Sequence, residues 1–175
     1  MKQISFAIAL LALTLSIGSC KKTVTQTGTY YVPSHTVCVS GVFPPNTTTE
    51  TQDVNQADLR QAFGTSGLIF DSTQVTTATL TAINANVTDG DLGDVEQIKV
   101  AIKVKGAAGD GTIIAHYDGG STGAVGTSIP LTLSNVDLKQ FMSTSSTILM
   151  TVTNKSSGGR VCMSINGGTI SITTK

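Results

Sequence analysis

Hydrophobic and polar positions alternate most cleanly over 96–105, where Ile98, Val100, Ile102 and Val104 fall on one side and Lys99, Ala101, Lys103 and Lys105 on the other. A period of two with one apolar and one wet face predicts a half-buried antiparallel strand. The three lysines discourage a second sheet from docking on the wet face. Shorter runs of the same kind recur at 112–117, 128–133, 147–153, 160–165 and 169–173, and upstream at 29–32, 36–39, 68–70 and, with a break, 74–87. Turn residues punctuate them: Gly109-Asp110-Gly111, Gly119-Gly120, 156–159 and Asn166-Gly167-Gly168. Short strands spaced by roughly ten residues predict an all-β fold, an antiparallel β-sandwich of the Ig-like or jelly-roll-like kind.

Two segments change period. Over 53–64, Asp53 is placed to cap, Gln56 follows three residues later, Leu59, Ala62 and Phe63 share a face, and Gly64 closes the turn. Over 134–142, Leu138, Phe141 and Met142 repeat that spacing. Both predict short helical turns that carry the chain over the ends of the sandwich.

The first twenty residues follow neither period. Met1 and Lys2 give a basic start, and 4–17 is an apolar run broken only by Ser5, Thr14 and Ser16, which is the pattern of a secretory signal and short for a membrane span. The run ends in Ile17-Gly18-Ser19-Cys20, an aliphatic residue, two small ones and a cysteine. This resembles the lipobox of bacterial lipoproteins, a resemblance confined to the first twenty residues. It implies cleavage before Cys20, a diacylglycerol on the Cys20 sulfur and an acyl chain on the new amine, enough lipid for stable membrane attachment. The expected organisation is a signal peptide at 1–19, a lipidated tether at 20–29 and a β-sandwich at 30–175. Lys21 stands where an aspartate retains some lipoproteins at the inner membrane, so the outer membrane of the cell envelope is favoured, with its periplasmic or surface side open.

Composition sharpens this in two ways. Eleven basic and eleven acidic residues sum to zero net charge, which removes the positive field that nucleic-acid binding needs. With 28 threonines, 18 glycines and only 13% charged residues, the chain suits strands and turns better than helices.

Candidate chemistry is sparse. Gly119-Gly120-Ser121-Thr122-Gly123 fits the G-x-S-x-G string of a hydrolase nucleophile elbow, but the flanks predict a strand rather than a helix after it. Both histidines, His35 and His116, also precede it, where that motif needs one downstream. No catalytic residue is therefore assigned. Histidine and cysteine spacing forms no zinc pattern. The acidic stretch at 89–96 gathers Asp89, Asp91, Asp94 and Glu96, a candidate Ca²⁺ loop and otherwise a solvated turn; no other cofactor is implied. Asp71-Ser72-Thr73 matches a bacterial O-glycosylation tripeptide, which makes Ser72 a candidate modification site.

With Cys20 acylated, Cys38 and Cys162 remain as an even pair in an oxidising compartment, which predicts a disulfide. In Val37-Cys38-Val39 and Val161-Cys162-Met163 the valines and the methionine take the core parity, which puts the bridge on the outer face or at a sheet end. The functional expectation is a non-enzymatic, envelope-anchored lipoprotein with a binding, adhesion or assembly role toward an envelope protein or glycan. The alternatives are a small-ligand- or glycan-binding module and, after those, a small hydrolase. With no Trp and three Tyr, aromatic sugar platforms are scarce.

Overall fold

A computed structural model describes residues 24–30, 35–40, 46–65, 71–155 and 158–175. The signal segment, Cys20 and the strand expected at 68–70 lie outside the described residues. The described residues form ten strands, two short α-helices and one 3-10 turn. The strands make two five-stranded antiparallel sheets that enclose one core, so the β-sandwich expectation holds.

The first sheet is organised around its two longest strands, β4 (Val75–Asp89) and β10 (Val161–Thr174), which pair along most of their length. The other edge of β10 is shared by two strands end to end. β1 (Val24–Tyr30) runs against 168–174, and β2 (His35–Val39) against 161–165. β7 (Ser128–Pro130) completes this sheet beside β4. In the second sheet the order is β3 (Thr47–Val54), β9 (Ser146–Asn154), β5 (Val95–Val104), β6 (Thr112–Tyr117), β8 (Thr132–Leu133).

The period-two pattern explains the core. Ile98, Val100 and Ile102 of β5, Met150 and Val152 of β9, Val37 and Val39 of β2, and Met163, Ile165, Ile170 and Ile172 of β10 all point inward and are buried. One end of the sandwich is closed by α1 (Gln56–Thr65) through Leu59 and Phe63 and by α2 (Lys139–Met142) through Phe141 and Met142, with Leu138 just ahead of it. At the opposite end a 3-10 turn, Leu92–Asp94, inserts Leu92.

Several expectations change in detail. The tether predicted over 20–29 extends no further than residue 23, because Val24 onward pairs in register with β10. Asn166-Gly167-Gly168 does not turn the chain: β10 runs through it, with a register shift against β4 between Ile165 and Gly168. Glycine and asparagine accommodate a bulge as readily as a turn. The break expected within 74–87 is absent, and the run 128–133 divides, β7 joining one sheet and β8 the other. β3 was not legible at all: Thr47 to Asp53 contains no apolar residue. It is an edge strand whose threonines pair across to β9, with Thr47 and Thr153 hydroxyls 3.2 Å apart and those of Thr49 and Thr151 2.9 Å apart.

The cap of α1 is also reassigned. Asp58 N–H donates to Asn55 Oδ1 and Asn55 N–H to Asp58 Oδ2, each at 3.0 Å, a reciprocal capping box two residues later than expected. Asp53 instead ends β3, where it accepts from Lys105 Nζ and Thr147 Oγ1, both at 2.7 Å. Its hydrogen bond from Lys105, then that from Thr147, holds its carboxyl below the usual aspartate range. The second helical segment shrinks from 134–142 to the single turn of α2, although Leu138, Phe141 and Met142 are buried as its spacing required.

Candidate functional site

Sequence-singled residues converge at the end of the sandwich opposite the two helices. β2 and β10 place Cys38 directly opposite Cys162, and the two are joined by a disulfide with Cα atoms 4.0 Å apart. The parity argument holds: Val37, Val39, Val161 and Met163 are buried in the core, so both sulfurs lie on the outer face. The two are not equivalent, since Cys38 is exposed while Cys162 is 3% exposed. Arg160, one residue before β10, bridges this pair to the acidic turn. Its Nη1 donates to Asp89 Oδ2 at 3.0 Å and its Nη2 lies 3.7 Å from Cys38 Sγ, while Cys162 Sγ is 4.0 Å from the same Asp89 oxygen.

The remaining carboxylates of the candidate Ca²⁺ loop are engaged separately. Asp91 Oδ1 caps the 3-10 turn by accepting from Gly93 N–H at 2.6 Å and also takes Gly123 N–H from the loop after β6 at 3.4 Å. Asp94 Oδ2 accepts from Gly159 N–H at 2.9 Å, and Lys155 Nζ donates to Gly93 O at 2.5 Å. Glu96 is exposed at the start of β5. Among the described residues no three His, Cys, Asp or Glu side chains are grouped to hold a metal ion. The loop is thus a wired turn in which backbone amides and an ammonium take the oxygens that calcium would need. Calcium at millimolar concentration is expected to leave the thermal midpoint unchanged within about 1 °C, whereas a bound ion at 100 times its Kd would add about 2.7 kcal/mol.

Two local features explain why the chain turns here. Gly90 has φ +82°, and a Cβ on it would sit 2.1 Å from Arg160 O, so the chain passes only without a side chain. Asn154, fully buried at the end of β9, donates from Nδ2 to Gly159 O at 2.6 Å, while its Oδ1 has no hydrogen-bond partner among the described residues. Neither Arg160 nor Asn154 was a site candidate in the sequence: Arg160 takes its partners from β2 and β4, and Asn154 bonds to Gly159 five residues on.

The other candidates lie apart. Ser72 is half-buried in a turn made by Asp71, whose Oδ1 accepts from Thr73 N–H at 2.9 Å and Thr73 Oγ1 at 2.7 Å. The Thr73 hydroxyl is the main cause of the lowered Asp71 carboxyl. Ser121 follows β6 in an open loop that leads to β7, with its N–H donating to Tyr117 Oη at 2.9 Å, so no strand–helix elbow forms around it. His116 Nε2 is 3.6 Å from Asp118 Oδ2. Under the helices an apolar cavity of about 40 Å³ is lined by Val54, Leu59, Ile102, Leu138, Phe141, Met142, Ser146, Ile148 and Ile170.

No known protein family matches the chain, and no curated protein matches it. Among solved structures, a chain in the structure of infectious bursal disease virus Gt strain is similar at 15% identity and a TM-score of 0.39 over 87% of this chain. A chain of the Gx strain is similar at 14% identity and a TM-score of 0.38. This protein spans 32% of the length of either.

Proposed function

We propose that the chain is a non-enzymatic lipoprotein of the cell envelope, held by acyl chains on Cys20, whose β-sandwich serves binding, adhesion or assembly. The observation that carries this reading is the junction between the lipobox-like Ile17-Gly18-Ser19-Cys20 and β1, which begins at Val24. Four residue steps span at most roughly 14 Å, so an acylated Cys20 keeps the start of β1 beside the bilayer. Val24 pairs with Thr174, and Thr174 with Val75, at the helix-capped end of the sandwich. The opposite end, with the disulfide, Arg160 and the acidic turn, then faces outward and is the surface offered to partners.

Replacing Cys20 by Ser is expected to leave an unprocessed precursor, read by mass, that is lost from the detergent-extracted membrane fraction. Normal membrane retention of Cys20→Ser refutes the anchor. Capture of an envelope protein or glycan by the intact chain supports the binding role. Turnover of a captured molecule overturns the non-enzymatic assignment.

A further inference from the structure

The two sulfurs of the bridge sit in opposite electrostatic surroundings. Cys38 Sγ is on the exposed side, with the Arg160 guanidinium 3.7 Å away. Cys162 is 3% exposed, and its Sγ is 4.0 Å from the Asp89 carboxylate. Water and a guanidinium favour a thiolate, while burial and a carboxylate disfavour one. In the dithiol form the flanking pairs Val37 with Met163 and Val39 with Val161 keep the cysteines opposed. Exposure therefore makes Cys38 the cysteine that a solvent-borne reagent meets first.

We propose that Cys38 is the entry sulfur for thiol–disulfide exchange with a small, solvent-borne disulfide, and that Cys162 is the resolving thiol. In the first step the Cys38 thiolate attacks one sulfur of R–S–S–R. A Cys38–S–R bond forms, the external S–S bond breaks, and R–S⁻ leaves with the electron pair and takes a proton from water. In the second, the Cys162 thiol loses its proton to water and its sulfur attacks Cys38 Sγ, expelling the second R–S⁻, which takes a proton from water. The dithiol is oxidised to the bridge and one disulfide is reduced to two thiols. In reverse, an external thiol reaches only Cys38 and must expel the Cys162 thiolate into a buried site beside a carboxylate.

The test uses the full chain, reduced but kept native at pH 7 and pulsed with iodoacetamide, with each cysteine read by peptide mass. Cys38 is expected to label at least about tenfold faster than Cys162, and the two rates to converge in concentrated urea. With oxidised glutathione as probe, Cys162→Ser accumulates a mixed disulfide at Cys38, while Cys38→Ser forms little at Cys162 in the same time. Arg160→Gln slows Cys38 labelling severalfold at pH 7 and moves its pH profile upward, a readout that a purely structural Arg160 would not change. Equal native labelling of the two cysteines, or Cys162 labelling first, overturns the proposal, and an unmoved Cys38 pH profile in Arg160→Gln removes the guanidinium from it. The wild-type pulse decides the order even where a serine variant does not fold.

Discussion

Removing the bridge by the pair Cys38→Ala and Cys162→Ala is expected to lower unfolding free energy by about 2–5 kcal/mol, the largest loss anticipated from any change outside the core. The cysteines are 124 residues apart in sequence, so the cross-link restrains nearly the whole unfolded chain of the domain. The chain-entropy model puts such a loop near the top of its range, roughly 4–5 kcal/mol, and residual structure in the unfolded state reduces that. The folded state depends on the bridge for a local reason as well. β2 contributes only five residue pairs to β10, and among the described residues no further strand pairs beyond it. Short edge strands are held by few contacts and open first. Guanidinium unfolding of the double variant, beside wild type kept in reductant, measures the loss. Agreement between the two at 2 kcal/mol or more is expected within the range of roughly 2–5 kcal/mol, and a loss near zero in both would mean that the bridge restrains nothing.

The bridge was legible because its argument needs only parity and compartment. Val37, Val39, Val161 and Met163 announce which side faces the core, and an even pair of cysteines in a chain whose first residues predict export announces the oxidation state. β5 was legible for the same reason: Ile98, Val100 and Ile102 alternate with lysines. What parity cannot supply is the partner of a strand. Threonine at every second position of β3 carries β propensity but no inside or outside, and its place on the edge beside β9 becomes visible only through the Thr47–Thr153 and Thr49–Thr151 pairs. Likewise, β1 and β2 share one edge of β10 end to end, an arrangement with no signal in either segment.

The acidic turn illustrates the converse. Asp89, Asp91, Asp94 and Glu96 are adjacent in sequence, and their proximity suggested a common ligand. The actual partners of the three aspartates are Arg160, the amides of Gly93 and Gly123, and the amide of Gly159, up to 71 positions away. A run of like charges in a turn diverges from a single centre because each side chain takes the nearest unpaired donor, and the donors here arrive from different loops. Gly90 was readable as a turn residue, but the reason it must be glycine, the approach of Arg160 O, is tertiary.

Phe63→Ala is expected to cost about 3–5 kcal/mol, the range for emptying a fully buried aromatic site. Phe63 is 0% exposed and, with Leu59 at 4%, anchors the face by which α1 closes its end of the sandwich. A ten-residue helix has little stability of its own in water, so its position rests on those buried contacts. The same end already contains the cavity of about 40 Å³ bordered by Leu59, so the packing there has less material with which to fill a further void. α1 also packs against β1, and a loosened helix withdraws support from a strand paired on one side only. Arg60→Ala, an exposed residue of the same helix, is the control and should change stability by no more than about 0.5 kcal/mol. Denaturant unfolding of both variants, with the slope m unchanged from wild type, gives the comparison. A Phe63→Ala loss below about 1 kcal/mol, equal to that of the control, would mean that the ring is not part of the core and that α1 lies over the sandwich without sealing it.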